Sequence, residues 1–205
     1  MLVWAITGAA AVGYLLGSIP TAWIVTRHLS GKRADIRALG DRNMGATNVG
    51  RLFSRRWGIL VGAVDISKGL AAAGIFLLIS DVVAPGYGDE NLHYLVVVSG
   101  IGAMVGHIWP IWLRFRGGRG AATAVGVIGA MILVPMLILA LPTALILARN
   151  GNTSLAFGFI VLWSNVIAKV FFDSSWDTVI FSFGLFVLVV LTDPRLRIIR
   201  QPNRG

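Results

Sequence analysis

The 205-residue chain is 56% hydrophobic and only 13% charged, about half the charged share of a soluble domain; this excludes an ordinary water-soluble fold and points to an integral membrane protein. Its formal net charge of +9 asks for anionic partners, and so apolar a chain favours lipid headgroups and phosphates over nucleic acid. It has no cysteine, which excludes disulfides and thiolate metal sites.

The first apolar run, Leu2–Thr26, lacks a basic leading segment and is too long for a signal peptide, so it is expected to be a retained first helix. Further runs lie at Trp57–Ile79, His93–Leu113, Ala121–Ala148, Thr153–Phe172 and Trp176–Thr192. A spanning helix needs about 20 residues. Ala121–Ala148 is longer, and as one helix would reach about 42 Å. It contains Pro135 and Pro142, each able to break or kink a helix. It is either one bent helix or two short ones meeting near Val134–Pro135.

Charge supplies the parity. Arg27–Arg56 carries eight Lys/Arg and should be cytoplasmic. Ser80–Leu92 has Asp81, Asp89 and Glu90 and no Lys/Arg, and should be outside. Arg114, Arg116 and Arg119 return inside, as do Arg149 and the tail with Arg195, Arg197, Arg200 and Arg204, whereas the loop around Asp173 is acidic and outside. These assignments agree if Ala121–Ala148 crosses twice. The expectation is one domain over residues 1–205, an all-α bundle of seven transmembrane helices, helices four and five short, N-terminus outside and C-terminus cytoplasmic. Short, Pro-interrupted segments also mark transporter binding sites, so an organophosphate transporter is an alternative.

Three polar stretches fall on the expected cytoplasmic side. In "GDRNMGATNVGRLFSRR", Asn43, Gly45, Thr47 and Asn48 suit a turn leading into a helix start. Val49, Leu52 and Phe53 would form its apolar face, and Asn48, Arg51 and Arg55 a basic one, as in an interfacial helix; the plainer account is a helix cap with positive-inside charges. In "DISKG", Asp65 and Lys68 share a helix face at i, i+3 within an apolar run. Each charge near the bilayer centre costs roughly 2.5–3.5 kcal/mol, so the pair is functional or self-neutralising and must face the bundle or a wet cavity. In "GHIWPIWLRFRGGRGAAT", Gly106–Pro110 ends a helix and a Gly–Arg loop leads into the helix at Ala121. A helix start with free N–H groups, glycines and Arg116 or Arg119 suits a phosphate. "GATNVG" and "GAATAVG" read as two similar anion-accepting helix starts, which fits a site for two phosphate-bearing ligands.

His28, His93 and His107 fall in separate stretches, and no carboxylate cluster appears, so neither a metal centre nor a cofactor is expected. Gly58/Gly62 and Gly102/Gly106 have the small-xxx-small spacing of helix packing. Lys169 is expected to snorkel beside Asp173.

The order of "GSIPTAW", "ADIRALGDRNMGATNVGR", "DISKG" and "GHIWPIWLRFRGGRGAAT" resembles the bacterial acyl-phosphate:glycerol-3-phosphate acyltransferases of the PlsY type. The resemblance covers most of the chain and is dense from Gly17 to Thr123. It implies a seven-helix inner-membrane enzyme whose active site faces the cytoplasm. The enzyme would transfer a fatty acyl group from acyl phosphate, not acyl-CoA or acyl carrier protein, to the 1-hydroxyl of glycerol 3-phosphate, releasing lysophosphatidic acid and phosphate. Its partners would be these substrates, membrane lipid and an upstream acyl-phosphate-forming enzyme. The matching positions are Ser18, Asn43, Gly45, Thr47, Asn48 and Arg51; Asp65 and Lys68; then His107, Pro110, Gly117, Gly118, Arg119 and Gly120. His107, Lys68, Arg119 and Asp65 are the catalytic candidates. The remaining positions other than Pro110, with Lys68, Arg119 and Arg116, are the candidates for binding substrate phosphate.

Three departures stand out. The family's G-S-G-N is Gly40-Asp41-Arg42-Asn43 here, and its F-K-G-G-K-G is Phe115-Arg116-Gly117-Gly118-Arg119-Gly120. Its C-terminal His-Arg-x-Asn element is not recognisable in "LTDPRLRII". These departures motivate a third reading, a homologue that binds anionic lipid without catalysis.

Overall fold

The computed structural model describes residues 2–31, 34–78 and 89–192. Nine α-helices are described: α1 Leu2–Gly17, α2 Thr21–Ser30, α3 Ala46–Leu52, α4 Arg55–Leu78, α5 Asp89–Ile108, α6 Ala121–Met131, α7 Leu133–Asn150, α8 Thr153–Phe172 and α9 Trp176–Leu191. Among the described residues, five apolar segments are long enough to cross a membrane: Leu2–Ser30, Arg55–Leu78, Leu92–Leu113, Leu133–Asn150 and Thr153–Phe172. Ala121–Met131 and Trp176–Leu191 are shorter apolar helices.

Proline sets two of the breaks. The first apolar run is expected to be one helix, but it divides at Ser18–Pro20. Pro20 has no N–H to continue the ladder and pushes Ile19 out of helical geometry. The Ile19 carbonyl instead accepts from the Thr21 N–H at 3.0 Å. The long run divides at Ile132, with φ −132° and ψ 55°. Pro135 cannot donate to the Met131 carbonyl, so the chain restarts at Leu133 and leaves proline in the first turn, where no intrahelical donor is needed. Pro142 stays inside α7. Only one of the two products is short: α6 has 11 residues, whereas α7 has 18.

Small residues set the closest packing. A Cβ on Gly13 or Gly17 would strike the Ser99 or Ala103 backbone, and one on Gly102 or Gly106 would strike α1 at Ala10 or Tyr14. The glycines thus let α1 and α5 run side by side at backbone contact. Gly58 does the same for α3 against α4. The main core joins Ala72, Phe76, Leu95, Met104, Val127, Ile128, Phe157 and Val161. A smaller core of Ala22, Val25, Ile36, Met44, Val49, Val61 and Leu113 pins the basic loop to the bundle. At the far end of α8, Lys169 reaches Asp173 at 2.8 Å, as expected of a snorkelling pair.

Both ends of the α6–α7 unit open on one cavity. Gly120 and Thr153 line it together with Asn43, Asp65, His107 and Val190. The starts of α6 and α8 and the end of α9 therefore gather at one end of the bundle, where the chemistry-bearing residues lie.

Candidate active site

The basic loop is built around one buried side chain. Asn48 is 1% exposed. Its amide donates to the Leu39 and Asn43 carbonyls, each at 3.0 Å, and its Oδ1 accepts the Asp41 N–H at 3.0 Å. Asn48 thus holds the loop in shape and is not part of a solvent-facing basic stripe. The expected interfacial helix is cut short as well: α3 ends at Leu52 and Arg55 opens α4. Gly40 sits at φ +53°, and a Cβ there would strike Asn48 Oδ1, so the left-handed turn and the Asn48 lock both require glycine. Asp41 pairs with Arg51 at 2.8 Å on the surface. The acid and the base that entered this loop do not form a local Asp41–Arg42 pair.

Arg37 braces the other side. It binds Asp35 at 2.6 Å and donates to the Leu113 and Arg116 carbonyls at 3.0 and 3.3 Å. The hydrogen bond from Arg37 holds the Asp35 carboxyl below the usual carboxylate range, and Asp35 raises the guanidinium in turn.

Beneath this loop lies a buried polar cluster from four helices. Asp65 and Lys68 on α4 pair at 2.9 Å. Thr21 at the start of α2 donates to Asp65 Oδ1 at 3.1 Å, and Lys68 Nζ donates to the Ile19 carbonyl at 3.0 Å. His107, at the end of α5, brings Nδ1 to 3.9 Å from Asp65 and 3.0 Å from the Thr123 hydroxyl on α6. Asp65, Lys68, His107 and Thr123 are all buried. The "DISKG" pair faces the bundle, as its membrane setting demands. Thr21 and Thr123 were missed by sequence reasoning; each lies inside a quoted motif, but neither carries a charge to draw notice.

The glycine loop folds back on α5. The Gly117 N–H donates to the Ile108 carbonyl at 2.9 Å and the Gly118 N–H to the His107 carbonyl at 3.1 Å. A Cβ at Gly118 would meet His107 Nε2 and the Met44 carbonyl. These two glycines were expected to cradle phosphate; their N–H groups instead cap the end of α5 and their lack of Cβ makes room for His107. Gly120, at φ +84°, is the left-handed residue before α6, and that helix start has no side-chain cap. Arg119 is half-buried beside it, whereas Arg116 is exposed.

A cavity of about 400 Å³ joins these parts. One wall is polar, with Asn43, Gly45, Thr47, Asp65, His107, Arg119 and the start of α6 at Gly120–Ala122. Thr153 and Ser154, also missed in the sequence, lie at the start of α8. The rest of the lining is largely apolar, with Val189, Val190 and the pair Phe157 and Phe186, whose rings stack at 5.6 Å. Ser18, Asn48, Arg51, Lys68, Arg116, Gly117 and Gly118 are not among the residues lining it. Ser18 is fully buried; its hydroxyl accepts from Trp112 Nε1 at 2.9 Å and donates to the Leu15 carbonyl at 2.9 Å. Such a cavity can hold an anion at a helix start beside an arginine while a hydrocarbon chain lies against the phenylalanines.

Fold and site together define a multi-pass membrane protein with a cavity lined by polar, cationic and apolar residues. The family model described as glycerol-3-phosphate acyltransferase matches residues 7–200, and the chain belongs to that family. Glycerol-3-phosphate acyltransferase 4 of Dehalococcoides mccartyi is 39% identical over 183 residues, 88% of this chain and 91% of that protein. The glycerol-3-phosphate acyltransferase of Salinibacter ruber is 32% identical over 210 aligned residues, covering 98% of this chain and 91% of its own length. In three dimensions the chain is similar to PlsY (YgiH), an integral membrane glycerol 3-phosphate acyltransferase, in its glycerol 3-phosphate form. The TM-score is 0.75 at 24% identity, over 98% of this chain and 96% of that one, which is a likeness of fold.

Proposed function

We propose that this enzyme, a glycerol-3-phosphate acyltransferase by family, takes its acyl group from acyl phosphate and makes lysophosphatidic acid and phosphate within the large cavity. The observation that carries the reading is the meeting, in about 400 Å³, of Arg119 and the uncapped start of α6 with the Phe157–Phe186 wall. Substrate phosphate would lie at Gly120–Ala122 under Arg119, where helix N–H groups and a guanidinium both favour an anion. Asn43, Gly45 and Thr47 would offer polar contacts to the second phosphate-bearing substrate. The acyl chain would enter sideways from the bilayer along the phenylalanines.

In the reaction the glycerol hydroxyl oxygen attacks the acyl carbonyl carbon, the carbon–oxygen bond to phosphate breaks, and phosphate leaves with its electron pair. Orientation of two bound substrates supplies much of the acceleration, and Arg119 with the helix start stabilises the departing charge. The hydroxyl proton passes to His107, to Asp65 or to the leaving phosphate, alternatives that a pH–rate profile separates. The upstream partner would be an enzyme that forms acyl phosphate.

We read the chain as one domain in the bacterial inner membrane, with seven crossings, the N-terminus outside, and the cavity and C-terminus cytoplasmic. The gathering of Gly120, Thr153 and Val190 at one cavity supports two crossings for residues 121–150. Family membership favours the enzyme over an organophosphate transporter. The test is incubation of the purified protein in lipid with radiolabelled glycerol 3-phosphate and palmitoyl phosphate. Labelled lysophosphatidate formed without CoA supports the reading. Binding without turnover would mean a degenerate lipid-binding homologue, and label accumulating inside sealed vesicles would mean transport.

A further inference from the structure

Lys68 is the one cation of the "DISKG" motif and an obvious phosphate ligand, yet its surroundings leave no room for a phosphate. Its Nζ is already held by Asp65 Oδ1 at 2.9 Å and by the Ile19 carbonyl at 3.0 Å, two of the three hydrogen bonds an ammonium can donate. The side chain is 5% exposed. The cavity that Lys68 lines is the smaller one, of about 10 Å³, enclosed by Ser18, Thr21, Asp65 and His107 among others. That volume admits roughly one water molecule. Asp65 and His107 line both cavities, so they stand between Lys68 and the space where substrate fits.

We infer that Lys68 is a positioning residue: it fixes the Asp65 carboxylate at the cavity wall and ties α4 to the chain break at Ile19–Pro20, and it does not bind substrate phosphate. Two features support the assignment. The break at Pro20 takes the Ile19 carbonyl out of the helix ladder, so that it accepts from Lys68 Nζ as well as from the Thr21 N–H. Thr21, one residue beyond the break, donates to the same Asp65 oxygen at 3.1 Å. Lys68 therefore sets both the charge balance and the orientation of Asp65, which faces His107 at 3.9 Å. A carboxylate held so firmly beside a phosphate cavity repels the phosphate and suits the glycerol hydroxyl end of the acceptor. The inference rests on the acyl-transfer reading given above.

The experiment measures binding of radiolabelled glycerol 3-phosphate and steady-state turnover for wild type, Lys68→Met, Asp65→Asn/Lys68→Met and Arg119→Gln, all in lipid nanodiscs. Lys68→Met is expected to lower kcat about 100-fold through misplacement of Asp65, while the dissociation constant for glycerol 3-phosphate stays within about threefold of wild type. The double variant leaves no unpaired buried charge and is expected to stay folded even if the single one does not. Its glycerol 3-phosphate binding should likewise be near wild type. Loss of affinity by about tenfold or more in a folded Lys68 variant would make Lys68 a phosphate ligand and overturn the inference. Unchanged kcat in Lys68→Met would overturn it too. Arg119→Gln, at the place assigned to the departing phosphate, should lower kcat about 100-fold and leave glycerol 3-phosphate binding near wild type. If wild type itself fails to bind, the acyl-transfer reading falls and the inference with it, an outcome distinct from one in which wild type binds and the Lys68 variants do not.

Discussion

Arg116 and Arg119 stand three positions apart in one glycine loop, yet they meet different surroundings. Arg119 lines the large cavity; Arg116 is exposed, and its carbonyl is taken by Arg37. Arg119→Gln is expected to lower kcat/KM by roughly 100-fold or more, the usual cost of one lost charge-stabilising donor. Arg116→Gln should stay within about threefold, since a solvated cation outside the cavity contributes little. Steady-state kinetics in lipid checks both, and equal losses would place Arg116 on the substrate. A methyl group at Gly118 meets His107 Nε2 and the Met44 carbonyl. Gly118→Ala should therefore destabilise the fold by about 1–3 kcal/mol and displace His107, seen as a lower thermal midpoint together with lower kcat. Which residues gather around the two cavities was legible in part: the buried Asp65–Lys68 pair, His107, Arg119 and the start of α6 all came from spacing and motif, and they line one cavity or the other. What was not legible is which atoms are already spoken for. Asn48, Gly117 and Gly118 look like phosphate ligands as letters, but their hydrogen bonds go to the Leu39–Asn43 turn and to the end of α5, which no periodic pattern pairs with them.

Among the elements, the loop before α3 depends on a clamp that acid releases. Arg37 holds Asp35 at 2.6 Å and braces the Leu113 and Arg116 carbonyls. Because the folded Asp35 pKa is lowered, its contribution is present above the unfolded value of about 3.9 and is lost as pH falls through the lowered folded value. Asp35→Asn should remove that component, so the difference in thermal midpoint between wild type and variant is expected to shrink as the pH is taken below about 4; a constant difference would contradict it. At the start of α8, Asn152 accepts from the Ser154 and Leu155 N–H groups at 3.1 Å each. Asn152→Ala should cost about 1 kcal/mol of stability and loosen Thr153 and Ser154 at the cavity rim, read by thermal unfolding. The apolar runs located the helices because hydrophobicity over about 20 residues is a strong signal. Breaks were harder to place. Pro135 acts one turn upstream, by denying a donor to Met131, so the division falls at Ile132 and not at the proline itself. Pro20 divides a run that hydropathy alone presents as continuous.

At the scale of the whole molecule, polar and apolar demands meet in one cavity, lined by a cationic helix start and by stacked phenylalanines. The apolar lining could not be read from motifs, because Phe157, Phe186, Val189 and Val190 are indistinguishable by type from lipid-facing residues. The proposed orientation can be tested directly, since the chain has no cysteine. Single cysteines in place of Ser54 and Ser174 should react with a membrane-impermeant maleimide from opposite sides, position 54 from the cytoplasm and position 174 from outside; labelling from the same side would refute it. The most direct measurement of the central claim is the initial rate of lysophosphatidate formation by pure protein in lipid. Wild type and Arg119→Gln would be compared, with palmitoyl phosphate and glycerol 3-phosphate as sole substrates. The account predicts product and phosphate in equal amounts from wild type, and a rate roughly 100-fold lower from the variant. No product from wild type, or the same rate from both proteins, would contradict it.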